Sequence, residues 1–277
     1  MPAGERRSSP APAGVWSPGK VLALLVAGAL TAVVLLAGLG LAIYYAIDPS
    51  PAAGKTASTA LTLNAAGRSP ADLARARRED LAGAPMRTAG ASDAAPSVLS
   101  ARDPGSILLP PATTTGPAGV PAGFTHTPAG ALAQLAGIDQ VALDSASLAG
   151  ARAVIKGWAA PGGPTASTWS GVRAMADFLG AAGLASGRPP DLAISATPLM
   201  GLVKATDGAD WVVVCVDFEV DATLAQTARV AVADCQQMAW VGNRWVIGPG
   251  AEPAPAPSIW PGTDAAIDAG YKELTGE

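Results

Sequence analysis

The stretch "WVVVCVDFEVDATLAQTARVAVADCQQMAWVGNRWVI", residues Trp211 to Ile247, carries the strongest strand signals in the sequence and both of its cysteines. Bulky residues alternate with others from Val212 to Val220, which is typical of a strand with one apolar face. A second strand from about Arg229 to Val241 predicts a hairpin whose centre lies near Ala225. We therefore expect the fold to be organised around an antiparallel pair.

One register of this hairpin keeps the bulky residues on a single face, and a slip by one residue would mix the two faces. It pairs Val220 with Val230, Phe218 with Val232, Val216 with Asp234, Glu219 with Ala231, Asp217 with Ala233 and Cys215 with Cys235. Opposite residues have Cβ atoms about 4.5–5.5 Å apart, close to disulfide spacing. We expect a disulfide between the cysteines; the alternative is two reduced, buried thiols. A catalytic thiol is disfavoured because the only histidine, His126, is distant in sequence.

A second hairpin follows directly. Gly242 and Asn243 separate two apolar segments, which is a two-residue turn signal. This turn places Trp240 opposite Trp245 as a cross-strand aromatic pair. The stretch is thus predicted to be a three-stranded meander.

Helix signals precede the strands in three places. Thr127 and Pro128 suit the start of a helix that extends to about 136, and two further helices are predicted over 145–158 and 167–182. Strands are expected at 192–197 and 199–205, and Thr263 should cap a short C-terminal helix. These elements predict an α+β domain over 121–277, with three N-terminal helices packed on a curved antiparallel sheet.

Residues 21–47 form an uncharged apolar run that is long enough to cross a bilayer as a helix. A cleaved signal peptide is the alternative, but the run is long for one and its "AIYYA" end is bulky. More cations precede the run than follow it. The positive-inside rule therefore predicts a cytoplasmic tail at 1–20, a single-pass anchor in the cell membrane, and an extracytoplasmic C-terminal domain. Such a compartment would favour the disulfide.

Residues 48–120 are rich in Pro, Ala and Gly and poor in large apolar residues, which predicts a disordered tether. Ser69 and Pro70 give one island the signals of a short helix, at about 70–82. The arginines of that island could contact a partner or simply be solvated. A second patch, "SILLPP" at 106–111, would suit the edge of a sheet.

No chemistry-bearing motif is legible, so neither an enzyme nor a cofactor or metal is predicted. The net charge of −4 disfavours direct nucleic-acid binding. Asp217 and Asp234 fall on opposite faces of the predicted hairpin. Asp234 shares the bulky face, where burial would raise its pKa or require a partner, unless the strand end lies near water.

The order of anchor, tether, helices and curved sheet resembles the bitopic bridging subunits of type IV secretion and conjugation systems. Their outer domains have the cone-shaped fold of nuclear transport factor 2. The segments "GFTHTPAGALAQLAGID", "PLMGLVKATDGADWVVVCVDFEV", "ARVAVADCQQMAWVGNRWVIGPG" and "PSIWPGTDAAIDAGY" are similar to an uncharacterised membrane-protein family from conjugative elements of high-GC Gram-positive bacteria. The resemblance implies a non-enzymatic assembly subunit that contacts other transfer-channel subunits and oligomerises. It carries over no catalytic residue.

Two other functions stay open. The cone could hold a lipid or small molecule as an accessory domain of a transport system, or it could be an enzyme, although enzymes of this fold usually place an Asp–His or Asp–Tyr set in the cone. A deep cavity with converging polar groups would favour one of these, and a filled cone would favour the assembly function. The candidate pocket or interface residues are aromatic: Trp169, Phe178, Trp211, Phe218, Trp240 and Trp245.

Overall fold

The computed structural model describes residues 69–184, 191–224 and 226–276. They belong to one compact unit that begins at Gly67. The predicted tail at 1–20, the anchor at 21–47 and the first part of the tether, to 68, lie outside the described residues. No helix within the described ranges is long and apolar enough to cross a membrane.

The unit contains five α-helices, one short 3-10 helix at Pro117–Gly119 and eight strands in its described residues. They are α1 Pro70–Gly83, β1 Ser106–Leu109, β2 Thr114–Thr115, β3 Pro121–Ala122, α2 Pro128–Asp144, α3 Leu148–Trp158, α4 Ser170–Ala181, β4 Ala193–Thr206, β5 Trp211–Thr223, β6 Thr227–Val241, β7 Arg244–Ile247, α5 Asp264–Asp268 and β8 Lys272–Gly276. Six strands form the main sheet in the order β1-β8-β4-β5-β6-β7, and only the β1–β8 pair is parallel. The predicted α+β class, with a sheet that is mainly antiparallel, is confirmed.

The predicted register of the central hairpin is confirmed at every pair. Val220 lies opposite Val230, and Cys215 lies opposite Cys235 with the two Cα atoms 4.0 Å apart. The two cysteines form a disulfide. The next hairpin also has the predicted pairing of Trp240 with Trp245.

The helices differ from the prediction in their bounds. Thr127 caps α2 as expected, but the helix continues to Asp144 instead of ending near 136. Gly137 does not stop it, because glycine ends a helix mainly by adopting a positive φ, and Gly137 keeps a helical backbone. The helix predicted over 167–182 is α4, which starts at Ser170 and not at 167. The preceding residues form a turn instead, because the amides of Thr168 and Trp169 donate to the Thr165 carbonyl.

The described part of the expected tether, 69–120, is packed against the sheet. In α1, Arg78 Nε donates to Asp207 Oδ2 at 2.7 Å, and Lys204 Nζ donates to the Ala82 carbonyl at 2.8 Å. The patch at 106–111 supplies β1, which pairs with β8, a strand that the sequence analysis did not predict. The composition wrongly predicted disorder for these residues, because their short elements bury surface against strands that lie much later in the sequence.

The main sheet is covered on both faces. Helices α2, α3 and α4 pack on one face, against the even-numbered valines of β5 and Phe218. The other face is covered by α1, by residues 84–105, which we call the arm, and by residues 248–271, which we call the C-terminal segment. The arm and the C-terminal segment also cap the open edge of β6: Ala231 N donates to the Ala94 carbonyl, and Ala233 N donates to Ser258 Oγ. Such capping hides a strand edge that could otherwise pair with another chain.

Candidate functional site

A small cavity lies between helices α2 and α4 and the sheet. Its volume is about 80 Å³, which is room for several water-sized groups. The lining consists of mostly apolar residues and two carboxylic acids: Asp139, Ala142, Leu143, Trp169, Ser170, Gly171, Ala174, Met175, Phe218, Val232, Ala233 and Asp234. It is the place where acidic and aromatic side chains from helices and sheet converge.

The cavity has a buried floor and a partly exposed mouth. Asp139, Trp169 and Phe218, which line the floor, have 5 %, 0 % and 1 % of their surface exposed. Ser170 and Asp234, at the mouth, are half-buried. A ligand could therefore reach the floor from solvent between the start of α4 and the middle of β6.

Buried polar atoms without partners mark this region. Asp139 Oδ2, Trp169 Nε1 and Gln236 Oε1 make no hydrogen bond to any described residue. An unsatisfied buried polar group costs on the order of 1–3 kcal/mol, so such groups need an explanation. Asp139 and Trp169 line the cavity, and solvent or a ligand inside it could supply the missing partners.

Asp234 is held in place by a short network. Ser170 Oγ donates to Asp234 Oδ1 at 3.2 Å, and Gln236 Nε2 donates to Asp234 Oδ2 at 2.8 Å. Gln236 Nε2 also lies 3.2 Å from Ser170 Oγ. Helix α4 begins at Ser170, whose amide donates to Glu252 Oε1 at 2.6 Å, so the network is fixed to the C-terminal segment.

Burial disfavours ionisation of both acids. It raises the pKa of Asp139 well above its usual range, and the nearby charge of Asp234 adds to this. The pKa of Asp234 is raised to about 6, mainly by burial and also by Glu252, while the hydrogen bonds from Gln236 and Ser170 oppose the rise. A raised pKa was one of the alternatives expected for Asp234 from its place on the bulky face of the hairpin. Asp139 was not expected at this site.

Positive charge is scarce around the pair. Arg173 lies on α4, which lines the cavity, but its Nη2 donates to Glu252 Oε2 at 2.9 Å. Across residues 69–184, 191–224 and 226–276, no Lys, Arg or His forms an ion pair with Asp139 or Asp234. The site thus offers acceptors and one indole donor, with no protein countercharge.

Groups of metal-ligating and acid–base side chains were sought among the described residues. In the part of the chain that the structure describes, no cluster of three or more His, Cys, Asp or Glu residues could hold a metal ion. The cavity lining contains neither His nor Tyr, so no Asp–His or Asp–Tyr set is formed in this cavity.

The structure separates the aromatic residues that the sequence analysis grouped. Trp169 and Phe218 line the cavity, whereas Phe178 packs against the same core without lining it. Trp211 lies on the opposite face of the sheet, beneath Arg78 of α1, whose Cζ is 5.6 Å from the ring centroid. Trp211 and Phe218 therefore do not line a common pocket, because an odd-numbered residue of β5 cannot share a face with Phe218.

Trp240 and Trp245 form a separate aromatic cluster with His126. The His126 ring stacks on Trp240 with centroids 4.1 Å apart, and its Nε2 lies 2.9 Å from Asp210 Oδ1. Trp240 and Trp245 make an edge contact at 5.3 Å. Trp240 also lines an open groove of about 760 Å³, which Trp211 and α1 share.

A third buried acid lies on the other face of the sheet. Asp217 is fully buried beside the disulfide layer, and neither carboxylate oxygen has a hydrogen-bond partner among the described side chains and backbone. Burial raises its pKa to about 9, although the Ile259 amide nearby opposes this. Tyr271, which packs in the same layer, has its pKa raised by burial and by the charges of Asp217 and Asp234.

Asp139 is the site residue that sequence reasoning missed. The predicted helix ended near 136, which left Asp139 outside it. One signal was present: Asp139 follows Ile138 directly in a stretch with no other charge between Pro128 and Leu143. A carboxylate in the middle of a mostly apolar helix is unusual for a core position and points to a function or a partner.

Comparison with known proteins adds no assignment. No family model, no curated protein and no solved structure matches the chain significantly.

Proposed function

We propose that the described unit is an extracytoplasmic binding module for a small polar molecule. The observation that carries this proposal is the cavity between α2, α4 and the sheet. Two of its lining residues, Asp139 and Trp169, carry a buried carboxylate oxygen and a buried indole N–H that lack protein partners, and its mouth is partly open. Small-molecule sites combine an apolar wall with a few convergent polar groups, and this cavity has both.

The size of the cavity favours a small molecule over a lipid. Sites for drug-sized ligands have volumes of about 300–1,000 Å³. A volume of about 80 Å³ cannot enclose an acyl chain. Of the two ligand classes that the cone-shaped resemblance allows, the small molecule therefore has the better support.

The disulfide and the sequence support the proposed compartment. Cys215 and Cys235 are bonded, as is usual for proteins in oxidising surroundings. The uncharged run at 21–47 would hold the module at the membrane surface. Three helices packed on one face of the sheet agree with the proposed relation to cone-shaped domains of bridging subunits.

A fragment screen with a blocked mouth tests the proposal. Ala174 is exposed on α4 and lines the mouth, so Ala174→Leu should close it without disturbing the core. We expect neutral or charged fragments of about six heavy atoms or fewer to shift the Trp169 indole N–H resonance in the natural chain and not in the variant. If no fragment gives that difference, the cavity is not a ligand site.

An assembly subunit of a transfer apparatus is the second candidate. The open groove beside α1 favours it, because Trp211, Trp240 and the half-exposed Val241 line its walls together with Arg75 and Arg78. Aromatic and arginine side chains are enriched where protein partners bind. We propose other membrane subunits, or a second copy of the chain, as occupants.

Site-directed crosslinking in the native membrane tests this second candidate. A photo-reactive residue at Val241 should form specific adducts, and one at Asp177, on the exposed face of α4, should not. Equal adduct patterns from both positions would speak against the groove as an interface.

A further inference from the structure

We propose that the cavity binds a small organic cation, a primary ammonium group on a short carbon chain that also carries an oxygen. This inference rests on the proposed binding function and names its ligand class. The structure points to it through the juxtaposition of Asp139, Asp234 and Trp169 around one small space.

The balance of donors and acceptors gives the sign of the ligand charge. Asp139 Oδ2 has no donor, and Gln236 Oε1, in the network behind the mouth, has none either. Asp234 receives only neutral donors, from Ser170 and Gln236. An ammonium group brings three N–H donors and one positive charge, which suits two carboxyls that lack a protein cation.

The nearby ion pair does not neutralise these acids. Arg173 Nη2 is committed to Glu252 Oε2, and its side chain is 57 % exposed. The pair therefore balances its own charges at the mouth and leaves those of Asp139 and Asp234 uncompensated. An anionic ligand would have to approach three carboxyl groups, which like-charge repulsion disfavours.

The apolar wall and the indole define the rest of the ligand. Phe218, Met175 and Val232 offer a surface for a few methylene groups, and the ring of Phe218 can attract a cation. Trp169 Nε1 is a buried donor that needs an acceptor, which a hydroxyl on the ligand would provide. A volume of about 80 Å³ limits such a ligand to a few heavy atoms.

Protons compete with the ammonium for the same oxygens. The titratable and charged groups that face the site are Asp139 from α2, Asp234 from β6, Glu252 from the C-terminal segment and Arg173 from α4. Because burial raises the pKa of both aspartates, the empty cavity holds protons at acidic pH. Cation binding should release them, so affinity should increase from about pH 5 to about pH 8.

Three probes of matched size test the inference on the full chain. They are 3-aminopropan-1-ol as the cation, propane-1,3-diol as the neutral analogue and 3-hydroxypropanoate as the anion. Binding is followed through the Trp169 indole N–H resonance, assigned with Trp169→Phe, and through calorimetry in buffers of different ionisation enthalpy. We expect the amine to bind at least about tenfold more tightly than the diol, because a hydrogen bond between charged groups is stronger than one between neutral groups.

Matched substitutions separate the site from general charge effects. Asp139→Asn and Asp234→Asn should each weaken amine binding at least about tenfold and leave diol binding nearly unchanged. The control is Asp177→Asn on the exposed side of α4, which should change neither. Ala174→Leu should abolish the indole shift for every probe.

The outcomes distinguish this inference from the proposed function. If the diol or the anion shifts the Trp169 indole as strongly as the amine, and Ala174→Leu removes that shift, the cavity is a ligand site and the cation inference is overturned. If the amine binds equally well to the Asp139→Asn and Asp234→Asn variants, the inference is also overturned. If no probe shifts the indole, the cation inference is overturned, and the fragment screen with Ala174→Leu decides separately whether the cavity is a ligand site.

Discussion

Asp217 and Asp234 lie on neighbouring strands, on opposite faces of the central sheet, and both have a raised pKa because of burial. Asp234 has hydrogen-bond partners and opens onto a cavity. Asp217 has no hydrogen-bond partner among the described groups and lies in a sealed layer with the disulfide, Ile259 and Tyr271. A buried acid alone is therefore a weak indicator of a binding site. The helix-covered face has what a ligand needs, which is space and access.

The largest expected effect concerns the cover of the Asp217 face. A fragment of residues 121–277 lacks α1, the arm and β1, and with them Met86, whose sulfur lies 3.5 Å from Cys235 Sγ. It also loses Val120, which is fully buried. We expect this fragment to lose the cooperative thermal transition that a 67–277 fragment shows by circular dichroism. Equal transition temperatures would mean that the arm is dispensable and that the face is sealed by other residues.

The pH dependence of stability comes next. The folded-state pKa of Asp217 is about 9, above its unfolded value, so the folded chain keeps a proton that the unfolded chain has already lost. Stability should therefore fall as pH rises between about 4 and about 9, by about 1.4 kcal/mol per pH unit. Asp217→Asn should lower the slope of stability against pH by this amount and leave the part that is due to the raised pKa values of Asp139 and Asp234, as measured by urea unfolding between about pH 5 and about pH 8.

The control for Asp217→Asn is Asp177→Asn, which changes an exposed carboxyl and should leave the slope as it is. An unchanged slope in Asp217→Asn would show that Asp217 is solvated and that its face of the sheet is not sealed.

The disulfide should have a slightly smaller effect on the free energy of unfolding than the Asp217 titration. It closes a loop with a sequence separation of 20 residues, which corresponds to about 3 kcal/mol in the chain-entropy treatment. The double substitution of Cys215 and Cys235 by Ala should lower the free energy of unfolding by about that amount. An independent measurement is the number of free thiols in the natural chain under denaturing conditions, with and without reductant. Two free thiols found without reductant would contradict the bond.

The smallest expected effect is the change in stability when a larger side chain is placed on each face of the sheet. Ala266 of α5 is fully buried in the disulfide layer, whereas Ala174 of α4 borders the cavity mouth. Ala266→Leu should destabilise the chain by about 1–3 kcal/mol through overpacking. Ala174→Leu should change stability by less than about 0.5 kcal/mol. Similar losses in both variants would show that the mouth has no spare room.

Local patterns were enough to predict the centre of the fold. Alternation in β5 gave the register, the register gave the cysteine pair, and Gly242-Asn243 gave the turn that pairs Trp240 with Trp245. All these contacts join residues that are close in sequence, so composition and spacing contain the necessary information.

The long-range contacts could not be read in the same way. Strand β1 pairs with β8, so that Ser106 lies beside Glu273, 167 residues later, and α1 contacts the sheet through Arg78 and Asp207. Neither segment is apolar enough for its packing to be predicted from its own sequence. The cavity was missed for a related reason, since Asp139 and Asp234 lie far apart in the chain and only the packing of α2 and α4 on the sheet brings them to one space.

The parallel pairing of β1 with β8 also has a mechanical consequence. The start of β1 and the end of β8 lie at opposite ends of the pair, from Ser106 beside Glu273 to Leu109 beside Gly276. Tension applied between these two points would load the hydrogen bonds of the four residue pairs in shear, all at once, and not peel them apart singly. The β1–β8 pair would thus resist tension applied between the start of β1 and the end of β8.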